Sequence, residues 1–283
     1  MPTTASLPEK RAALIDCLKT AGRVAVAYSG GVDSVVVARA AHEACGDQAF
    51  AVTAVSPSLA SGELEKAREI ARQIGIRHLV IETHEFGQTG YIQNAGNRCY
   101  FCKTELYSQL ESLAISEPYD VIVNGANADD VGDHRPGMIA ATEHQVRSPL
   151  LEVGLTKAEV RELAREWGLP VWDKPASPCL SSRIAYGVEV TPERVSRVDA
   201  AEQWLRETLG IRELRVRLEA GDLARIEVPL TEVPRLATPE MGAAVTAKFK
   251  SLGFRYATLD LEGFRSGSLN AALPFVELSL KSK

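Results

Sequence analysis

The feature that most constrains this chain is a six-residue turn, Ser29-Gly30-Gly31-Val32-Asp33-Ser34, set between two segments of different character. Before it, Arg23-Val24-Ala25-Val26-Ala27-Tyr28 is apolar almost without interruption, the pattern of a strand buried on both faces. After it, Val35-Val36-Val37-Ala38 leads a helix to about Cys45. A buried strand that passes through two glycines into a helix aims the unpaired N–H groups of the helix start at one point, with no side chain in the way. That is an anion site, and Ser29 and Ser34 add hydroxyl donors. Asp33 is out of place in a pure phosphate nest, because a carboxylate repels phosphate unless a cation lies between them. It reads as a magnesium contact.

The alternation of helix and strand continues on both sides of the turn. Residues 6–20 read as an amphipathic helix capped by Ser6, with Ala12, Leu14, Ile15 and Leu18 near helical spacing. Phe50 to Val55 is a second strand, Ser61 caps a helix through Ile74, and His78 to Ile81 is a third strand. Cys102 to Leu113 reads as helix and Asp120 to Val123 as a fourth strand. Apolar strands alternating with helices predict an α/β domain, a parallel doubly wound sheet covered on both faces, over residues 1–172. A linker over 173–190 carries Cys179. Residues 191–283 then read as a smaller α+β domain for substrate binding or oligomerisation. Its order is a helix over Pro192 to Leu209, strands near Glu213–Leu218 and Ala224–Val228, a helix over Pro239 to Leu252 and a strand near Tyr256–Leu261.

Composition removes several classes of function. A chain of 283 residues with 45% hydrophobic and 24% charged residues is an ordinary globular protein. No apolar run reaches the ~20 residues that span a bilayer. The start, Met1-Pro2-Thr3-Thr4, lacks the basic-then-apolar order of a secretory signal, so a cytoplasmic location is expected, without a membrane partner. A net charge of −5 argues against a nucleic-acid partner.

The glycine turn is not the Gly-x4-Gly-Lys-Ser/Thr loop, since no lysine follows its glycines. It resembles the turn of the PP-loop ATP pyrophosphatases, whose domain is of the adenine nucleotide alpha hydrolase-like kind. That likeness implies cleavage of ATP between the α- and β-phosphates, with AMP left on the substrate. The segment after the fourth strand agrees: Asn124-Gly125-Ala126-Asn127-Ala128-Asp129-Asp130 lies where the carboxyl end of a parallel sheet carries ligand groups. Asn127 is a candidate nucleotide contact, and Asp129, Asp130 and Asp133 are candidates for holding magnesium or orienting the adenylated group.

Three of the five cysteines have positions suited to chemistry. Cys99 and Cys102 open a helix at metal-ligand spacing, and Cys179 lies in the linker, whereas Cys17 and Cys45 read as packed core thiols. Three thiolates are one short of a closed zinc site, which His134 could complete. They also suit a [4Fe–4S] cluster with one iron open to an external ligand. Separate thiols, with Cys179 as direct sulfur donor, are the third possibility.

Taken together, the chain resembles the LarE family of ATP-dependent sulfur transferases over nearly its whole length. The likeness rests on the Ser29–Ser34 turn, the run from Gly125 to Gly137, Lys174-Pro175-Ala176-Ser177-Pro178-Cys179-Leu180-Ser181-Ser182-Arg183, Arg215-Val216-Arg217, and the run from Thr258 to Ser268. It implies adenylation of the carboxylates of pyridinium-3,5-biscarboxylic acid mononucleotide and their conversion to thiocarboxylates, in the making of the nickel-pincer nucleotide cofactor. The cofactors implied are ATP, Mg2+ and a [4Fe–4S] cluster on Cys99, Cys102 and Cys179, fed by a sulfide source. A variant of the family instead sacrifices one cysteine. Homo-oligomers are also implied. Within this picture Ser29, Gly30, Gly31, Asp33, Ser34 and Asn127 bind the nucleotide, and Asp33, Asp130, Cys179 and Arg183 carry the chemistry. Arg215 and Arg217, at i and i+2 on a strand, face the same way and suit a substrate phosphate. The resemblance further implies a metal site at Glu202 and Glu227. The nearest rival is a tRNA thiolase, against which the acidic charge weighs.

Overall fold

The computed structural model describes residues 5–131 and 136–265. The chain divides into two compact units, one of Met1–Tyr91 with Asn97–Ser177, the other of Ile92–Gly96 with Pro178–Lys283.

In the first unit the elements run α1 (Leu7–Lys19), β1 (Val24–Ala27), α2 (Val32–Cys45), β2 (Ala49–Val55), α3 (Glu63–Ile74), β3 (Arg77–Glu82), the one-turn α4 (Thr89–Ile92), α5 (Arg98–Leu113), β4 (Val121–Val123), α6 (Pro136–Glu143), the one-turn α7 (Pro149–Glu152) and α8 (Lys157–Glu166). Local chemistry explains several boundaries. Ser6 and Glu9 form a capping box at α1, with the Ser6 N–H donating to Glu9 Oε2 at 2.7 Å. The α3 helix starts two residues after Ser61, because Gly62 takes a left-handed conformation (φ 79°) and stands at its N-cap. The α5 helix begins at Arg98 rather than near Cys102, so both cysteines of the pair lie inside its first turns.

The four strands form one parallel sheet in the order β3-β2-β1-β4. Strand parity sends alternate side chains to opposite faces. Val24, Val26, Ala49, Ala51 and Val123 join α1, α2, α3 and α8 in one core. Ala25, Phe50, Val52 and Ile122 join Tyr107 and Leu110 of α5 and Ala140 and Ala141 of α6 in the other. The chain builds outward from β1 through β2 to β3, then returns to place β4 on the other side of β1. Strand order therefore reverses between β1 and β4, and the crevice at their carboxyl ends is where such sheets hold ligands.

The second unit contains α9 (Pro192–Leu209), β5 (Arg215–Glu219), β6 (Leu223–Glu227), the one-turn α10 (Val233–Leu236), α11 (Pro239–Ser251) and β7 (Tyr256–Leu259). β5 and β6 are antiparallel and β6 and β7 parallel. Val195, Val198, Ala201 and Leu205 of α9 are fully buried, as are Val216 of β5 and Ala224 of β6. The short segment Ile92–Gly96 is sewn into this unit, although it precedes the unit's main part by more than eighty residues. Asn94 is fully buried and donates through Nδ2 to the carbonyls of Ala185 (2.8 Å), Val188 (3.0 Å) and Ile184 (3.2 Å).

The α1 helix contributes Leu18, with no exposed surface, to the same core as Trp167. Leu18→Ala is expected to lower the stability of the first unit by ~2–5 kcal/mol, read by urea denaturation followed through tryptophan fluorescence. A loss below ~1 kcal/mol would contradict the close packing described here.

Candidate active site

The glycine turn connects β1 to α2 and is held by its own serines. Ser34 Oγ donates to the Gly31 carbonyl at 3.0 Å and accepts from the Ser29 N–H at 3.2 Å. Gly30 has a φ of +70°, and a Cβ there would lie 3.1 Å from that of Ala67 on α3, so conformation and space both require glycine. Gly31 is the N-cap of α2 in extended conformation. The turn thus presents the start of a fourteen-residue helix to the crevice between β1 and β4.

The loop after β4 closes on this turn. A Cβ on Gly125 would lie 2.9 Å from the Ser34 nitrogen and 3.0 Å from Asp33 Cβ, a distance that only glycine permits. Asn127 Nδ2 donates to Asp33 Oδ1 at 3.2 Å. Asn127 also caps its own loop: its Oδ1 accepts from the Asp129 N–H at 3.0 Å, while its N–H donates to Asp130 Oδ2 at 3.0 Å. Asp129 Oδ2 in turn accepts from the Lys157 N–H at the first residue of α8, at 2.8 Å. The remaining carboxylate oxygen of Asp33 is in close ion-pair contact with Lys157 Nζ.

Lys157 is a site residue that sequence reasoning missed. A trace of it was present, since Thr156 and Glu159 form a capping box and Lys157 is the first residue inside it. A cation there opposes the helix dipole, and the Asp33 carboxylate is the anion that offsets it. A second lysine, Lys174, meets the opposite edge of the turn, 3.3 Å from the Gly30 carbonyl oxygen. Asp133 and His134 lie outside the described residues.

Cys99 and Cys102 stand three residues apart on α5, hence on one helical face, the first exposed and the second half-buried. The ring of Phe101 between them lies over Gly90, where a Cβ would come within 2.2 Å of it. Cys179 is exposed and belongs to the second unit, at the N-cap of the short 3-10 helix Leu180–Arg183. Cys99 and Cys179 are free thiols. Among the described residues no three His, Cys, Asp or Glu side chains form a metal-holding group. Cys17 and Cys45 are half-buried, and burial pushes both thiols up from their ordinary pKa.

The second unit holds a buried ionic cluster. Glu202 accepts from Arg183 Nε at 3.0 Å, from the Val216 N–H at 3.1 Å and from Arg206 Nη2 at 2.7 Å. Glu227 pairs with Arg217 and Arg225, each at 2.9 Å. A metal ion at Glu202 or Glu227 would have to displace guanidiniums from both oxygens. Arg217 also donates to the Ser182 carbonyl at 2.9 Å. Arg215 differs from these neighbours, having no carboxylate in ion-pair contact among the described residues, and it lies over the ring of Phe264 at 4.7 Å. Burial, then the charges of Arg183 and Arg217, pull its pKa down to about 10, so it stays charged at neutral pH.

Comparison with known proteins agrees with this geometry. The sequence model of the asparagine synthase family matches residues 11–94, which include β1, the glycine turn and β2. The chain is 48% identical over 251 residues, 89% of its length and 93% of the other's, to an uncharacterized protein of Synechocystis sp.. It is 38% identical over 277 residues, 97% of its length and 99% of the other's, to the pyridinium-3,5-bisthiocarboxylic acid mononucleotide synthase of Lactiplantibacillus plantarum. To a tRNA-specific 2-thiouridylase of Beijerinckia indica it is 30% identical, over only 55% of its length and 44% of the other's. Fold, turn and likeness together define a PP-loop enzyme that uses ATP. Within that class the chain belongs to the LarE family.

Because Gly125 lies against the start of α2, Gly125→Ala is expected to push the glycine turn out of place. ATP affinity should fall at least ~10-fold, at a cost in stability of ~1–3 kcal/mol from overpacking. Isothermal titration calorimetry with ATP checks this, and unchanged affinity would show that the close approach does not matter.

Proposed function

We propose that this enzyme adenylates the carboxylates of pyridinium-3,5-biscarboxylic acid mononucleotide and converts them to thiocarboxylates. The observation that carries the proposal is the Asp33 assembly, in which a carboxylate beside a phosphate-binding turn is held between Asn127 and a lysine. A carboxylate alone is a poor acyl donor, because its leaving group would be oxide. Attack of its oxygen on the α-phosphorus of ATP breaks the bond to the bridging oxygen of the β-phosphate and releases pyrophosphate. The acyl adenylate that forms has AMP as leaving group. Hydrosulfide then adds to the acyl carbon, AMP departs, and one proton is released with the thiocarboxylate.

The chain's own residues have defined tasks in this scheme. Ser29, Gly30, Gly31 and Ser34 hold the phosphates through N–H and hydroxyl donors. Asp33, with Asp130, offers the hard oxygens that magnesium takes, and the ion when bound neutralises phosphate charge. Lys157, paired with Asp33 beside the turn, would supply the positive charge that the turn lacks. Arg215, with Arg217 beside it, takes the substrate phosphate, and Arg183 steadies charge near Cys179. Cys99, Cys102 and Cys179 would hold a [4Fe–4S] cluster whose open iron supplies a binding place for sulfide from an external source. The second reading, favoured by the exposure of the Cys179 thiol, is that this cysteine gives up its own sulfur. The soluble cytoplasm and a homo-oligomer are the setting expected for such an enzyme.

The test is anaerobic purification with iron and sulfide analysis of wild type and Cys99→Ala, together with pyrophosphate release on adding ATP and the biscarboxylate. Iron present in the wild type and lost in the variant supports the cluster. Loss of the mass of one hydrogen sulfide molecule from Cys179 after turnover, without iron, would establish the sacrificial route instead. Absence of substrate-dependent pyrophosphate release would overturn the adenylation chemistry itself.

A further inference from the structure

Lys174 has no task in the scheme above, yet its ammonium group touches the glycine turn. Nζ lies 3.3 Å from the Gly30 carbonyl oxygen and 2.7 Å from Glu63 Oε2. Both side chains of this pair are mostly buried, 21% and 15% exposed. Lys174 comes from a segment with no helix or strand of its own, and its place is fixed by a guanidinium. Arg161 donates to the Trp172 carbonyl at 2.6 Å and to the Lys174 carbonyl at 2.8 Å. Arg161 lies one turn along α8 from Lys157, so a single helix sets both lysines against the turn, one at Asp33 and the other at Gly30.

Charge explains why two lysines would be kept there. At rest the edge of the turn is balanced, Lys157 against Asp33 and Lys174 against Glu63. Burial alone would push the Glu63 carboxyl up, but hydrogen bonds from Lys174 and Lys66 outweigh it and hold the group below the usual range. A triphosphate brings several negative charges to this turn, and the turn contains no lysine of its own. Lys66 also pairs with Glu63, at 2.8 Å, so the carboxylate keeps a counter-ion if Lys174 turns away. The ammonium therefore has somewhere to go and leaves no bare charge behind.

We propose that Lys174 is a second phosphate-binding lysine of this site, that Glu63 holds it until nucleotide arrives, and that Arg161 positions it. Its ligand is the β,γ-phosphate end of a nucleoside triphosphate, which it meets at the Gly30 edge while Lys157 serves the Asp33 edge. The proposal rests on the reading of the turn as an ATP site. It is distinct from that reading because AMP, which lacks these phosphates, should not sense Lys174.

Calorimetry on the full chain, with a non-hydrolysable ATP analogue and with AMP, tests it. Lys174→Met should weaken the ATP analogue at least 10-fold and leave AMP within twofold of wild type. Glu63→Gln, which breaks the same ion pair but keeps the lysine, should leave the ATP analogue unchanged or tighter. Arg161→Met should weaken the analogue and again spare AMP. A wild-type measurement avoids any folding defect in the variants: the ATP analogue, but not AMP, should protect Lys174 from acetylation, read by peptide mass spectrometry. Equal labelling of Lys174 under both nucleotides overturns the proposal, as does a Glu63→Gln variant that loses ATP affinity as Lys174→Met does. Failure of the wild type to bind either nucleotide overturns the ATP reading, and this proposal with it.

Discussion

The grip on Asp33 is the interaction on which the candidate site depends. A carboxylate in the first turn of α2 suits the helix dipole, and two donors from later segments take its two oxygens. Asn127 reaches it from the loop after β4, and Lys157 from the first residue of α8. Asp129 ties these two partners together through the Lys157 N–H. The strand order makes this possible, because β4 returns beside β1 and sets its loop against the glycine turn. Gly125 then permits the final approach, since any Cβ at that position would meet the backbone of α2.

The second unit uses charge differently. Glu202 and Glu227 are almost wholly buried, which is tolerable only because guanidiniums and a backbone N–H satisfy them. Removing one partner from such a cluster costs more than the pair contributes, because a bare charge stays behind in a medium of low polarity. Arg215 is held less directly. Its neighbours Arg183 and Arg217 pair directly with carboxylates, whereas among the described residues Arg215 stacks on Phe264 and feels Glu227 and Glu202 only at longer range.

Much of the first unit could be read from local pattern. The apolar run of Arg23–Tyr28, the double glycine and the following valines announce a buried strand, a turn and a helix, because each signal spans only a few residues. Boundaries were less legible where a neighbour decided them. Ser61 has the chemistry of a cap, but the left-handed turn at Gly62 moves the helix start past it. The Cys99/Cys102 pair does open a helix, and α5 begins one residue before Cys99. Nothing in the sequence marked residues 92–96 as part of the second unit, because the three carbonyls that hold Asn94 come from residues 184–188.

By itself, then, the sequence determined the alternating α/β pattern, the anion-binding turn, the family and most of the polar residues set around the site. The pattern and the turn follow from steric preference and periodicity, which act between residues close in the chain, whereas the family and the site residues follow from the likeness of its motifs. Tertiary structure alone decided that Lys157 and Lys174 flank the turn, since they lie 124 and 144 residues beyond their partners Asp33 and Gly30. It alone decided that, among the described residues, Arg183 and Arg217 pair directly with carboxylates while Arg215 stacks on Phe264. An ion pair is a matter of a few ångströms in space, and no pattern along the chain encodes which distant side chains will be brought that close.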